Sequence, residues 1–97
     1  MEDLSLMDFN DVFVGLYGVY DRRAEQYTGI FVSENDATAV RAFKQSAESA
    51  PKDFLDDYEL HKMADYCQGT GRISQQWTPA NKPDIKFVVS LASLLHA

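Results

Sequence analysis

Val12-Phe13-Val14-Gly15-Leu16-Tyr17-Gly18-Val19-Tyr20 decides the fold of this 97-residue chain. β-Branched and aromatic residues occupy both parities of the run, the composition of a strand buried on both faces. The glycines at positions 15 and 18 argue against a helix there. Asp21 to Gln26 is a polar link with Arg22 and Arg23 near its tip, and Tyr27 to Val32 repeats the strand composition. So short a connection makes the two strands an antiparallel hairpin.

Beyond the hairpin the period changes. Ser33 can accept from the amides of a first helical turn, and Glu34 and Asp36 suit the positive end of the helix dipole, so a helix is predicted from there to about Ala50. Pro51 supports that end, because the residue before proline is pushed out of helical geometry. Asp36, Val40, Phe43 and Ala47 form one stripe with Ala39 beside them, which leaves Arg41, Lys44 and Glu48 facing outward. Lys52 to Asp56 reads as a loop and Tyr58 to Tyr66 as a third strand. Its alternation slips at Met63-Ala64, the mark of a bulge. Cys67-Gln68-Gly69-Thr70-Gly71 is a turn, and Arg72 to Trp77 returns as a fourth strand. After Pro79 and Pro83, Asp84 to Leu95 fits a strand at Ile85, Phe87 and Val89 and a helix face at Val88, Leu91, Leu94 and Leu95. A strand passing into a short terminal helix reconciles the two.

The fold expected is therefore α+β, a four- to five-stranded, mainly antiparallel sheet with one main helix packed on one face. It divides into an acidic lead-in at residues 1–11, a β-β-α-β-β core at 12–77 and a proline-containing C-terminal segment at 78–97.

The net charge is -6, from 15 acids and 9 Lys or Arg, the wrong sign for holding many phosphates. Glu2, Asp3, Asp8 and Asp11 concentrate four of the negative charges in the lead-in. From Tyr66 onward Arg72, Lys82 and Lys86 face only Asp84, so a local basic patch is possible and a broad one is not. The single cysteine, Cys67, excludes an internal disulfide and the usual zinc spacings, which suits a reducing compartment. The opening Met1-Glu2-Asp3-Leu4-Ser5 lacks the pattern of a signal peptide. Phe87 to Leu95 is far shorter than the ~20 residues that span a bilayer, so no membrane partner is expected.

Catalytic constellations are thin. Cys67 and His61 stand six residues apart and meet only if the bulge and turn fold them together; otherwise they are a buried thiol and an ordinary strand histidine. Asp53, Asp56, Asp57 and Glu59 lack the regular alternation of a calcium loop and read as a solvated acidic loop. Gly69-Thr70-Gly71 lacks the lysine of a triphosphate loop and the third glycine of a dinucleotide fingerprint. No enzyme, metal or cofactor is expected.

The aromatic residues are more informative. One helix covers one face of a sheet, and the second face needs its own cover: the C-terminal segment, an identical subunit or stacked bases. If the helix takes Leu16, Ile30 and Val32, then Tyr17, Tyr27 and Phe31 face outward. Such rings, with Arg22 and Arg23 or Arg41 and Lys44 near phosphates, hold single strands without reading sequence. Packing in a core or a dimer interface is the plainer role for the same aromatics. Arg41 has the alternative of an ion pair with Asp36 or Glu48.

The order Leu16-Tyr17-Gly18-Val19-Tyr20-Asp21, Tyr27, Phe31, Arg41-Ala42-Phe43, Asp57-Tyr58-Glu59-Leu60 and Gly69-Thr70-Gly71-Arg72-Ile73 resembles the small non-structural proteins of gokushovirus-type microviruses, phages with single-stranded DNA genomes. The resemblance runs from Val12 to Ile73. The lead-in and the segment from Trp77 lie outside it. It implies a DNA-binding or genome-synthesis role in the cytoplasm of an infected bacterium. The expectation is thus a non-enzymatic, homodimeric accessory protein that binds single-stranded DNA through Tyr17, Arg22, Arg23, Tyr27, Phe31, Arg41 and Lys44. The alternative is an acidic module that docks on viral replication or capsid proteins without touching DNA.

Overall fold

In the computed structural model, residues 12–48 and 56–95 are described. Among these residues five strands form one antiparallel sheet: β1 (Phe13–Asp21), β2 (Gln26–Ser33), β3 (Tyr58–Cys67), β4 (Ile73–Ser74) and β5 (Lys86–Ser90). The order is β2-β1-β3-β4, with β5 also pairing β3. Helix α1 (Asp36–Ala47) packs on one face, and a short helix α2 (Leu91–Leu95) follows β5 directly. The α+β architecture expected from the chain is the one observed.

β1 and β2 form the predicted hairpin, with Tyr17 opposite Phe31 and Gly18 opposite Ile30. The register slips between Val19 and Tyr20, where Thr28 is the additional residue on β2. A second slip, between Leu16 and Tyr17, leaves Met63 as the additional residue on β3, so the bulge legible at Met63-Ala64 is present. A third places Leu60 opposite Val89 but His61 opposite Phe87, with Val88 between.

The core lies between the sheet and α1. Tyr17, Leu60, Ala39, Phe43, Ala47 and Leu91 are buried together, with Val19, Phe31, Val40, Tyr58, Val88, Val89 and Leu94 packed around them. The helix stripe read from the sequence is the one that packs. The C-terminal segment joins this same side, Leu91 being fully enclosed; on the other face Val14 and Ala64 are buried near one end, while Ile30, Val32 and Phe87 stay exposed.

Three local expectations are corrected. Asn35, not Ser33, caps α1: its side chain accepts from the Thr38 amide at 2.9 Å, while Ser33 is the last residue of β2. The helix ends at Ala47 with Glu48 as its C-cap; Ala50 and Pro51 lie outside the described residues. The fourth strand is only Ile73–Ser74. Beyond it the Gln75 side chain donates to the Met63 carbonyl, and Trp77 bridges Pro83 across a tight turn at Thr78 to Lys82. The two prolines lack the amides a longer ladder needs.

The larger correction concerns the faces. α1 takes Tyr17 and Phe31, and Leu16, Ile30 and Val32 fall on the opposite side. Both parities of β1 are apolar, so alternation alone cannot choose between them. The choice follows from what each ring meets. Tyr17 is 1% exposed, lies 5.8 Å from Phe31 in a stacked arrangement, and donates from its hydroxyl to Asp36 Oδ1 at 2.6 Å, at the first turn of α1. Gly15 makes room for that ring: a Cβ there would stand 2.5 Å from Tyr17 Cε1. Gly18 does the same on the other face, where a Cβ would meet Met63 Sδ at 2.5 Å and the Tyr27 ring at 2.8 Å.

The surroundings of Tyr17, Gly18 and Gly29 set three expected outcomes. Burial, then the hydrogen bond and charge of Asp36, push the Tyr17 phenol above its ordinary value near 10. The folded state therefore holds this proton more tightly than the unfolded chain, and its contribution is complete below about pH 10 and lost as pH rises beyond it. Replacing Tyr17 with Phe is expected to cost about 1–2 kcal/mol near neutrality and to flatten the loss of stability above about pH 10, measured by urea denaturation across pH. Gly18→Val is expected to cost about 1–3 kcal/mol by overpacking and to alter the near-ultraviolet dichroism of the tyrosines. Gly29→Ala, with nothing within 4 Å of the added carbon, should change stability by no more than about 0.5 kcal/mol.

Candidate nucleic-acid interface

Strand alternation sends Leu16, Gly18 and Tyr20 of β1 to the side away from α1, and pairing brings Val32, Ile30 and Tyr27 beside them from β2. From β3 come His61 and Glu59, and β5 adds Phe87 opposite His61. The bulges keep these groups on one side. Without the additional residue at Thr28, Tyr27 would fall on the helix side rather than against Tyr20.

The result is a continuous set of rings. Tyr20 lies nearly parallel to His61, with centroids 5.2 Å apart and planes 17° apart. Tyr27 meets Tyr20 edge-on at 5.0 Å and His61 at 5.6 Å. Phe87 stands 6.0 Å from His61 and is 60% exposed. Ile30, 63% exposed, and Val32 extend the face toward the β2 edge as an apolar flank.

A chain of polar contacts fixes the rings. The Tyr27 hydroxyl is 2.8 Å from His61 Nδ1, and His61 Nε2 is 2.9 Å from Glu59 Oε1. Ionised Glu59 only accepts, so Nε2 carries the proton, and in the neutral imidazole Nδ1 accepts from Tyr27. Burial first, then Tyr20 and Glu59, push the Tyr27 phenol up from its ordinary value, which keeps it a donor. The other Glu59 oxygen lies 3.7 Å from Arg22 Nε, and Arg23 Nε lies 3.1 Å from Asp57. Both arginines stand in the β1–β2 turn with more than half of their side-chain surface exposed. Exposed pairs of this kind contribute little, so a phosphate can compete for either guanidinium.

The residues singled out in the sequence are thus divided. Arg22 and Tyr27 meet at one end of the ring face through Glu59 and His61, with Arg23 beside them. Tyr17 is in the core, and Phe31, half-buried, packs against it on the helix side. Tyr17 is sealed from solvent and offers no stacking surface. Arg41 and Lys44 are exposed on α1, across the sheet from the rings, and neither forms an ion pair among the described residues, with Asp36 and Glu48 included.

Tyr20, His61, Glu59 and Phe87 complete the face and were not singled out as ligands. Tyr20 was legible, since a short hairpin brings it opposite the start of β2. Phe87 was not, because its place beside His61 depends on β5 pairing β3 with a bulge. Cys67 is buried on the helix side at the far end of β3 from His61, and the two do not meet. Asp53 lies outside the described residues, while Asp57 and Glu59 serve the arginines. Gly71, at φ 79°, belongs to the turn closed by its amide on the Cys67 carbonyl. No helix among the described residues is long and apolar enough to cross a membrane.

Comparison with known proteins gives one family. The model described as Phage ORF5 protein matches residues 14–93, which takes in all of the sheet but Phe13, both ring-bearing ends of the hairpin and most of α2. No curated protein and no solved structure matches the chain. The chain belongs to the Phage ORF5 protein family.

Proposed function

From this place among phage ORF5 proteins, we propose that the chain is a non-enzymatic accessory protein of a microvirus-type phage that binds single-stranded DNA on the sheet face opposite α1. It acts during genome synthesis or packaging in the cytoplasm of the infected bacterium. The observation that carries the reading is the row Tyr20, Tyr27, His61 and Phe87 on a face that α1 does not cover, with Arg22 and Arg23 at one end. Bases stack on exposed aromatic faces whatever their identity, and guanidinium groups at the margin hold phosphates. Duplex DNA keeps its bases paired and stacked, so it offers this face nothing to bind.

The acidic chain sets a limit on the contact. A surface with two arginines at its margin neutralises few phosphates, so binding depends on stacking more than on charge and its salt slope is shallow. Tyr17 and Phe31 contribute by holding the sheet against α1. Arg41 and Lys44, on the far side of the sheet, belong to no contact made by the rings.

The exposed Ile30 and Val32 and the net charge of -6 favour a second reading, in which the same face docks on the replication initiator or procapsid without touching DNA.

Fluorescence anisotropy with a labelled single-stranded oligonucleotide separates the two. Phe87→Ala is expected to weaken binding about tenfold, as loss of one stacked base does. Arg22→Gln should weaken it uniformly across sequences and lower the salt slope by about 1. Equal binding to duplex, or affinity unchanged by Phe87→Ala, overturns the stacking mode. No binding to the oligonucleotide, with salt-insensitive association with a viral protein, supports the docking reading.

A further inference from the structure

We propose that the outer edge of β2 is a self-association surface, which pairs antiparallel with β2 of a second copy to make one continuous sheet from two subunits. β2 ends the strand order, and among the described residues no strand pairs with its outer side. Backbone N–H and C=O groups of alternate residues there point away from β1, a ready template for another strand.

Edges of this kind are normally blunted by charge, proline or shortness. Gln26–Ser33 is eight residues long and contains neither a charged residue nor a proline. Its irregularity, at Thr28, sits near the turn and leaves Gly29 to Ser33 regular. The other open edges are managed: β4 is two residues long, and β5 carries Lys86 and a bulge at Val88.

The occupant is identified by charge and symmetry. Two copies of a chain with net charge -6 repel each other over most of their surfaces. A neutral strand is where they approach without that opposition. An antiparallel edge is also self-complementary, since a two-fold axis across it presents the same backbone groups from both sides. Ile30 and Val32 of the two copies then fall on the same face near the axis. Their exposed surface is shared there, and the two ring faces become one longer surface. The pairing needs no nucleic acid and stands whether or not the rings bind DNA.

Sedimentation velocity without DNA tests it with three samples: the full chain, Ile30→Lys/Val32→Lys, and an equal mixture of Ile30→Lys with Ile30→Glu. The full chain is expected at twice its 11.0 kDa mass, the double variant at the mass of one chain, and the mixture at twice that mass again. Both positions are exposed, and matching far-ultraviolet dichroism checks that the core is intact; Val32→Lys alone serves if the double variant fails to fold. A full chain of single mass throughout its soluble concentration range overturns the proposal. So does a dimer that survives the lysines, because it then forms elsewhere.

Discussion

The rest of the structure depends on the seating of Tyr17 under α1. Its ring lies where Gly15 has no side chain, and its hydroxyl reaches Asp36 in the first helical turn. This contact joins the central strand to the helix at one point and fixes which parity of β1 is inside. Once Tyr17 faces the helix, alternation leaves no freedom: Val19 and Phe31 follow it into the core, and Leu16, Gly18, Tyr20 and Ile30 go to the other side. The ring face is therefore a consequence of the core and not a separate feature added to it.

Register slips give the sheet its second property. A regular ladder would alternate every side chain, and Tyr27, Met63 and Phe87 would not gather around Gly18 and His61. One additional residue at each of Thr28, Met63 and Val88 shifts the parity where it is needed. Gly18 then leaves the space into which the Tyr27 ring and Met63 Sδ settle. Glu59 is the polar centre of the arrangement, accepting from His61 on one oxygen and lying near Arg22 with the other. The same carboxylate that orders the rings also holds a guanidinium at their margin, so the aromatic face and its nearest cation are linked.

Much of the fold was legible along the chain, because hairpin length, helix stripe, bulge and turn are local properties of spacing and residue type. The hairpin, α1 packing through Ala39, Phe43 and Ala47, and the slip at Met63 all follow from patterns within a few residues. The site was legible only in part. Arg22, Arg23 and Tyr27 share one short connection, and that alone brings them together. Tyr17 and Phe31 were as good candidates by composition, and only their packing partners placed them on the helix side, Tyr17 sealed from solvent and Phe31 half-buried.

The sequence by itself determined that this chain is an α+β sheet with one principal helix and a central strand apolar on both parities. Residue type and period carry that information directly. Only the tertiary structure decided which parity faces the helix, because a strand apolar on both sides carries no preference of its own. Here Gly15 and Asp36 made the choice, through space for one ring and an acceptor for its hydroxyl. The approach of Phe87 to His61 is likewise a tertiary matter, since it joins strands distant in the chain through a register that no local pattern encodes.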